Sequence, residues 1–298
     1  MALSHILFGA NTDLAALPVR RIRPADLMDA LAKGWNDFSA MPSHAIFLCL
    51  IYPIIGIGLA WLTLGNARLP FLFPLAAGFA LIGPFAAMGL YELSRRREAG
   101  VDVSAGDALD VLYSPSIGAI VALGTLLMVI FLIWIATANA IYVLNFGYVP
   151  PASISQFIND VLFSPPGWKL ILIGNGIGFL FAVVVFSISF VSFPLLLDRD
   201  IGAVGALLTS IRAIQDNPIT MALWGLIVVG LLVAGSLPAF LGLTVALPVL
   251  RHSTWHLYRK IVDPAPNPRS AYRPRAKGLR YAADFPAVLF PWAREHLR

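Results

Sequence analysis

Five stretches of this sequence contain no aspartate, glutamate, lysine or arginine, and each is long enough to cross a lipid bilayer as a helix. They are Ala45–Ala67, Leu69–Tyr91, Val111–Asn159, Leu170–Leu197 and Asn217–Leu250. A transmembrane helix needs about 20 apolar residues, so at least five spans are expected. Only 12% of the residues are charged, about half the share typical of soluble globular proteins. Runs such as "GTLLMVIFLIWI" lack the alternation of barrel strands. The sequence therefore predicts an all-α polytopic membrane protein.

The last charge-free stretch decides the number of spans. It is long for one crossing, and "AGSLP" (234–238) has the glycine, serine and proline of a turn between two short helices. Six spans follow. Every lysine and arginine except Arg68 and Lys169 then lies on the side that holds both termini, whereas five spans would remove this bias. Because basic residues favour the cytoplasmic side, we predict six spans with both termini cytoplasmic.

Each pair of predicted spans follows a segment of helical periodicity that is too polar to insert into a bilayer. Two of these segments place apolar residues on one face: Leu27, Leu31, Trp35 and Phe38 in the first, and Leu207, Ile211 and Ile214 in the third. The second segment, "SAGDALDVLYSP", is a shorter form that ends at Pro115. We predict that all three lie along the cytoplasmic interface of the membrane as amphipathic helices.

The recurrence of one interfacial segment and two spans predicts three parallel repeats, arranged as three hairpins about an axis along the membrane normal. The repeats cover residues 24–100, 101–202 and 203–262. A displacement of 164 positions brings Pro84 onto Pro248 and Arg95 onto Arg259. Coincidence within an apolar composition is the alternative explanation. Residues 1–23 are predicted to form an N-terminal tail.

Residues 263–298 are predicted to form a basic, proline-rich cytoplasmic tail. Solvated disorder and attachment to anionic lipid are the two interpretations of this composition. Nucleic acid is not an expected partner, because the topology already explains the excess of positive charge. The expected partners are the lipid bilayer and other membrane proteins.

Three segments carry a resemblance to a known family. They are "YELSRRREAG" (91–100), "SFPLLLDRDIGAVGALLTSIRAIQDNP" (192–218) and the proline-ended amphipathic helix near Trp35. They resemble the bacterial integral-membrane family called domain of unknown function 2189, over roughly residues 20–262. The resemblance implies a six-helix domain of the bacterial inner membrane. It implies no established activity, so no catalytic residue is carried over.

Members of that family are sometimes labelled as cytochrome c oxidase subunit I. Haem–copper chemistry needs several imidazoles inside the helices. The five histidines instead lie in the tails or at the ends of predicted spans: His5, His44, His252, His256 and His296. The sequence therefore argues against the label, and we predict that the purified protein shows no haem absorbance.

The sequence contains no nucleophile–base pair, phosphate-binding glycine loop, paired carboxylate or cofactor fingerprint that we recognise. His252 and His256 have the i, i+4 spacing of metal ligands, but interfacial imidazoles beside Trp255 and Tyr258 are the favoured interpretation. We therefore predict no catalytic, cofactor-binding or metal-binding residues, and a protein that is not an enzyme. A scaffold or accessory subunit of a membrane complex is the first functional hypothesis. A transporter or channel for a small solute or lipid is the alternative.

Charged residues at the ends of predicted spans form the candidate structural site. Asp198, Arg199 and Asp200 follow the fourth span on the same side as Arg95, Arg96 and Arg97, which follow the second. We predict that these residues form a latch in which Asp198 pairs with a neighbouring arginine. Asp200 is predicted to cap or staple the helix that follows it.

Inside the predicted spans, a few polar and small residues indicate helix packing. Gly174 and Gly178 are four positions apart, a spacing that permits close approach of two helices. Asn139 and Asn175 are predicted to form hydrogen bonds across such a contact. Packing is favoured here over transport, because the predicted spans carry no charge at the membrane centre.

Overall fold

The computed structural model of the chain describes residues 2–9, 17–42, 87–148, 153–238 and 240–262, with isolated positions between 54 and 75. The regular structure in these residues is helical, apart from one isolated antiparallel bridge between Val19 and Val262. The helices are α1 (Ala2–Phe8), α2 (Pro24–Ala40), α3 (Met88–Glu98), a 3₁₀ helix (Ala105–Tyr113), α4 (Ile117–Phe146), α5 (Ile154–Phe163), α6 (Pro165–Ser189), α7 (Ser192–Asp198), α8 (Gly202–Asp216), α9 (Pro218–Ser236) and α10 (Leu243–Ile261).

Three segments within the described residues are long and apolar enough to cross a membrane. They are α4, the α6–α7 segment (Pro165–Asp198) and α9. These segments correspond to the third, fourth and fifth predicted spans. The first two predicted spans lie mostly outside the described residues, and α10, in the region of the predicted sixth span, is not among the three. The structure thus supports a mostly helical membrane protein.

The α6–α7 segment is interrupted one turn before a proline. α6 ends at Ser189 and α7 begins at Ser192. Pro194 lacks the N–H that would bond the carbonyl four residues earlier, at Phe190, and its ring crowds that carbonyl. Hydroxyl groups close the interruption. Ser192 Oγ has the carbonyls of Ile188 and Ala206 as acceptors for its one proton, and Ser210 Oγ accepts from the backbone N–H of Val191.

The described helices belong to two compact units. The first comprises Met1–Pro53, Pro84–Leu123 and Ile188–Arg298, and the second comprises Ile54–Gly83 and Gly124–Ser187. The first unit contains all of α2, α3, the 3₁₀ helix and α7 to α10. The second unit contains α5 and most of α4 and α6. The buried charged residues of the molecule described below all belong to the first unit.

Helix α2 packs closely against α10 in the first unit. Leu27, Ala30, Gly34, Asp37 and Phe38 are buried, and together they form one face of the helix. A β-carbon at Gly34 would collide with Ser253 of α10, so the absence of a side chain permits this approach. This face shares Leu27 and Phe38 with the expected one, but not Leu31 and Trp35. Trp35, assigned to the lipid-facing side by sequence, is 52% exposed and lies beside it.

Helix α8 also buries a different face from the one expected. Its fully buried residues are small ones: Gly202, Ala203, Gly205, Ala206, Thr209, Ser210 and Ala213. The larger apolar residues Leu207, Ile211 and Ile214 are only half-buried. Small side chains let neighbouring backbone approach, as at Gly202, where a β-carbon would collide with the backbone of Leu7 and Gly9.

Residues 17–22, part of the predicted N-terminal tail, form an extended segment that we call the strap. Its backbone is held by Asn217, the residue before α9. The side chain of Asn217 accepts from the N–H of Ile22 at 2.8 Å and donates to the carbonyl of Arg20 at 3.1 Å. Thr220 Oγ1 donates to the carbonyl of Ile22, and the Arg20 N–H donates to the carbonyl of Ile261. The strap therefore joins the start of α9 to the end of α10.

Candidate functional site

The first group of buried polar residues, which we call the histidine cluster, joins α2, α3 and α10. Asp37 lies at its centre. Its Oδ2 atom accepts hydrogen bonds from Ser94 Oγ at 3.0 Å and from His256 Nε2 at 2.8 Å. Arg97 lies 3.3 Å from Oδ1, and Ser94 Oγ also lies 2.6 Å from His252 Nδ1. One buried carboxylate thus connects three helices.

The hydrogen-bond chain determines the tautomer of His252. A serine hydroxyl has one proton, and Ser94 donates it to Asp37, so His252 Nδ1–H donates to Ser94 Oγ. Nε2 then carries a buried lone pair, and this atom has no hydrogen-bond partner among the described residues. Burial lowers the pKa of His252 to about 4, against the attraction of Asp37. The imidazole is therefore neutral at pH 7.

The electrostatics of the same cluster keep Asp37 ionised. Burial raises the pKa of this carboxyl group, but the hydrogen bond from His256 and the nearby charge of Arg97 outweigh burial. The net pKa of Asp37 is lowered from its ordinary value. A buried carboxylate is tolerated when it is paired and hydrogen-bonded. The Asp37 carboxylate accordingly forms a paired and hydrogen-bonded contact between helices.

The second group, which we call the latch cluster, surrounds Asp198, whose side chain is 1% exposed. Asp198 Oδ2 accepts from Tyr258 Oη at 2.7 Å and from an Arg259 guanidinium N–H at 3.3 Å. Arg199 lies 3.7 Å from the same oxygen. Arg259 also donates to Glu98 at 3.1 Å. Burial raises the pKa of Tyr258 well above its ordinary value, and the Asp198 carboxylate raises it further, so the phenol remains a donor.

The third group, which we call the arginine cluster, surrounds the buried guanidinium of Arg96. It contacts Glu92 at 2.7 Å, Asp107 at 2.9 Å and Asp110 at 2.6 Å. Arg95 contacts the other oxygen of Glu92 at 2.8 Å. Burial alone would lower the pKa of Arg96, but the three carboxylates raise it. The cluster fixes the 3₁₀ helix to α3.

The residues of the predicted latch are thus distributed over three clusters. Asp198 and Arg199 lie in the latch cluster, where Arg259 is a neighbouring arginine. Arg95 and Arg96 lie in the arginine cluster, and Arg97 lies in the histidine cluster. Asp200 lies 3.2 Å from His5 of α1. It does not cap α8, whose first turn has no side-chain cap, because the helix starts two residues later, after Ile201.

The four predicted packing residues inside the spans have different environments. A β-carbon at Gly178 would lie 3.0 Å from the Trp134 ring, so this glycine does face a neighbouring helix. Gly174 has no described atom within 4 Å of that position. Asn175 is exposed and donates to the carbonyl of Ile171 in its own helix. A side-chain amide in a helix can form this bond with the carbonyl four residues earlier without any neighbouring helix. Asn139 is exposed on α4.

Sequence reasoning missed Asp37, Ser94 and Glu98 as members of these clusters. A signal for Asp37 does exist. Asp37 lies at helical spacing from Leu27, Ala30 and Gly34. Its carboxylate therefore falls on a helix face whose other residues are small or apolar. A carboxylate on a buried face requires a partner from another helix. The sequence does not say that the partners come from residues 94–97 and 252–256.

The clusters can form salt bridges and hydrogen bonds, and their geometry indicates helix attachment. Within the described residues, no group of three or more histidine, cysteine, aspartate or glutamate side chains is arranged to hold a metal ion. Ser94 bonds both a histidine and an aspartate, but its hydroxyl is buried between α2 and α10. A serine nucleophile must instead face a substrate.

Comparison with known proteins finds a family model that matches part of this chain. Residues 72–198 match the model of a family described as "Predicted integral membrane protein (DUF2189)". The match confirms the resemblance inferred from the sequence motifs over that segment. No curated protein and no solved structure matches the chain. Together with the three apolar segments, the family match identifies an integral membrane protein.

Proposed function

We propose, on the premise that residues 72–198 carry the sequence of that integral-membrane family, that this chain is a non-enzymatic scaffold or accessory subunit of a membrane complex. In this proposal it crosses the bacterial inner membrane six times, with both termini in the cytoplasm. Its working surface is the apolar outside of its spans, and its polar interior holds the helices together.

The observation that supports this proposal is that charged residues from the three predicted repeats pair with one another around the buried groups of Asp37, Arg96 and Asp198. The latch cluster joins Glu98 of the first repeat, Asp198 of the second and Arg259 of the third. The arginine cluster joins the first repeat to the second. The histidine cluster joins the first to the third. Each repeat is therefore attached to the other two by groups that an enzyme or transporter would otherwise present to a substrate.

The exposed faces of the spans favour contact with lipid or protein. α9 exposes Ile219, Leu226, Val229 and Val233, while Trp224 and Met221 are buried. A scaffold holds its partners through faces of this kind, because neighbouring membrane helices associate by side-chain packing. A rigid interior with an apolar exterior suits a subunit that positions other proteins.

Site-specific photocrosslinking tests this function. We would place a photoreactive amino acid at Leu226, which is 68% exposed on α9, and in a matched control at the buried Trp224. After irradiation of native membranes, the exposed position should yield one discrete protein adduct that mass spectrometry identifies. The buried position should yield only crosslinks within the chain.

A uniform set of lipid adducts at Leu226, at Leu180 of α6 and at Leu132 of α4 would argue against a scaffold, since no span would then contact a partner. Those three positions are exposed apolar residues of the three candidate spans. Substrate turnover by the purified protein would contradict the non-enzymatic part of the proposal.

The proposed topology has its own test. Reporter fusions after Gly65, Phe146 and Gly235 should report an external location. Fusions after Gly100, Gly202 and Asp263 should report a cytoplasmic one. A cytoplasmic signal at Gly235 would exclude the six-span topology.

The interruption between α6 and α7 favours a transporter as the second candidate. Broken helices often line the substrate sites of transporters, where freed backbone groups bind the substrate. Here Ser192 and Ser210 already occupy backbone groups at this break. Flux of a panel of small solutes into proteoliposomes, abolished by Ser192→Ala but not by Ser236→Ala, would establish transport and overturn the scaffold proposal. Ser236, at the end of α9, donates to the carbonyl of Leu232 and provides the matched control.

A further inference from the structure

The strap and Arg23, the residue that follows it, present a row of arginines beside the start of a candidate membrane span. Arg20, Arg21 and Arg23 fall within four consecutive positions, and all three are exposed. The strap backbone is held by hydrogen bonds from Asn217 and Thr220, which lie at the start of α9. These hydrogen bonds therefore hold three positive charges level with the start of α9.

The length of α9 determines the depth of these charges relative to the membrane. α9 has 19 residues, and at 1.5 Å per residue it extends about 28 Å. The hydrocarbon core of a bilayer is about 30 Å thick. As a span, α9 then has its ends near the two boundaries of the core. Asn217 and Thr220, at the start of α9, then lie at the level of the phospholipid headgroups, and so does the strap bonded to them.

We infer that Arg20, Arg21 and Arg23 form a binding site for the headgroup phosphate of an anionic phospholipid. A guanidinium group matches a phosphate with two parallel N–H donors, and it is more weakly hydrated than an ammonium group. The strap also gives the site a fixed backbone. A pre-ordered backbone reduces the conformational entropy that is lost when a headgroup binds.

This inference concerns the lipid contact alone and does not depend on the scaffold proposal. It also differs from the attachment of residues 263–298 to lipid, because the three arginines lie in the N-terminal part of the chain. The phosphate could in principle be supplied by a membrane lipid or by free phosphate. The position of the strap beside the first turn of a span favours the lipid, and the experiment below separates the two sources.

The test uses native mass spectrometry of the detergent-purified full chain, titrated with phosphatidylglycerol. A basic residue near an anionic membrane surface contributes about 1 kcal/mol, which is about fivefold in affinity. We expect the variant Arg20→Gln/Arg21→Gln/Arg23→Gln to bind phosphatidylglycerol at least about fivefold more weakly than the wild-type chain. Phosphatidylcholine, whose headgroup has no net charge, should bind both proteins equally.

The matched control removes three positive charges elsewhere. The variant Lys33→Gln/Lys169→Gln/Arg212→Gln changes exposed residues on α2, α6 and α8, and it should bind phosphatidylglycerol as the wild type does. Equal weakening in both variants would show a general charge effect and would overturn the assignment of a site. Displacement of the lipid by millimolar inorganic phosphate would also overturn it, since the site would then take free phosphate.

A second measurement covers the case in which the triple variant does not fold. The wild-type chain should lose phosphatidylglycerol selectivity in 0.5 M NaCl, because screening weakens exposed charge contacts over a few ångströms. The single variant Arg21→Gln should weaken binding by up to about fivefold. Selectivity that persists in high salt, together with unchanged binding by Arg21→Gln, would exclude the site.

Discussion

His252 shows how one side chain can make a membrane protein sensitive to acid. Its ring is completely buried, bonded through Nδ1 to Ser94 and close to two other basic groups, Arg97 and His256. Protonation would place a charge where solvent is excluded. This residue could not be assigned from sequence, because the i, i+4 spacing with His256 also fits a pair of interfacial imidazoles. Only the packing of α2 and α3 against α10 distinguishes the two.

The pKa of His252 predicts acid destabilisation. In the folded state the pKa is about 4, and the ordinary value is 6.5. Between these values the unfolded chain binds a proton that the folded chain does not, so stability falls as the pH decreases from about 6.5 to 4, by roughly 3 kcal/mol in full. His252→Gln should remove most of this slope in thermal unfolding followed in detergent from pH 7.5 to 4.5.

The exposed histidine of α1 supplies the control for that experiment. The slope assigned to His252 should persist in the variant His5→Gln, which changes an imidazole that is half exposed. A pH profile that is identical in wild type and His252→Gln would show that His252 is hydrated in the folded protein, contrary to its burial.

Asn217 provides a second prediction at the scale of a single residue. Its side-chain amide donates to the carbonyl groups of both Arg20 and Ala213. Asn217→Asp replaces these donors with an oxygen atom and leaves two carbonyls without their partner. We expect a loss of about 2 kcal/mol or more, measured by thermal unfolding. Gln215→Glu, an exposed amide-to-acid change on α8, should cost far less. Equal effects would show that the strap contributes nothing to stability.

At the scale of the elements, the sequence predicted helices well and their buried faces poorly. α2, α8, α9 and the 3₁₀ helix begin and end near the prolines and caps that the sequence shows. The apolar face of α2 was expected to contact lipid because Leu31 and Trp35 extend the pattern. The face that contains Gly34 is buried instead, because the absence of a side chain there permits contact with Ser253. Hydrophobic periodicity measures apolar area, whereas close helix packing also depends on where side chains are small.

Gly34 is the position at which this packing can be tested. Gly34→Ala adds a methyl group that collides with Ser253, so we expect it to cost about 1–3 kcal/mol by overpacking. Gly225→Ala on α9 is the matched control, because no described atom lies within 4 Å of its β-carbon position. Alanine there should be neutral or stabilising by about 0.5–1 kcal/mol. If both variants unfold at the same temperature, the contact between α2 and α10 is not tight.

At the scale of the whole molecule, the repeat hypothesis predicted that charged helix ends would be neighbours, and pairs of such ends do lie together in the first unit. It could not assign partners, because it places basic groups from two other repeats, Arg95–Arg97 and Arg259, on the same side as Asp198. The structure pairs it with Arg259. The histidine cluster arises between helices that are distant in sequence, so no local pattern could have revealed it.

A double-mutant cycle on Asp198 and Arg259 tests the latch. Asp198→Asn should lower stability by about 3 kcal/mol, the range for a broken buried ion pair. The cycle with Arg259→Gln should give a coupling energy of about 1 kcal/mol or more. Asp216→Asn, in the exposed pair with Arg212, should cost about 0–1 kcal/mol. Additive effects of the two latch substitutions would show that the pair is not coupled.

The strap has a consequence for how the protein is made. Ile22 bonds to Asn217, a residue 195 positions later in the chain, so the strap leaves the ribosome long before its partner exists. At 5–20 residues per second, the delay is about 10–40 s. During that interval Arg20, Arg21 and Arg23 belong to a segment that Asn217 does not yet hold. Closure of the strap is therefore among the last steps of biogenesis, and a chain truncated before Asn217 would keep its N-terminal segment open to quality-control proteases.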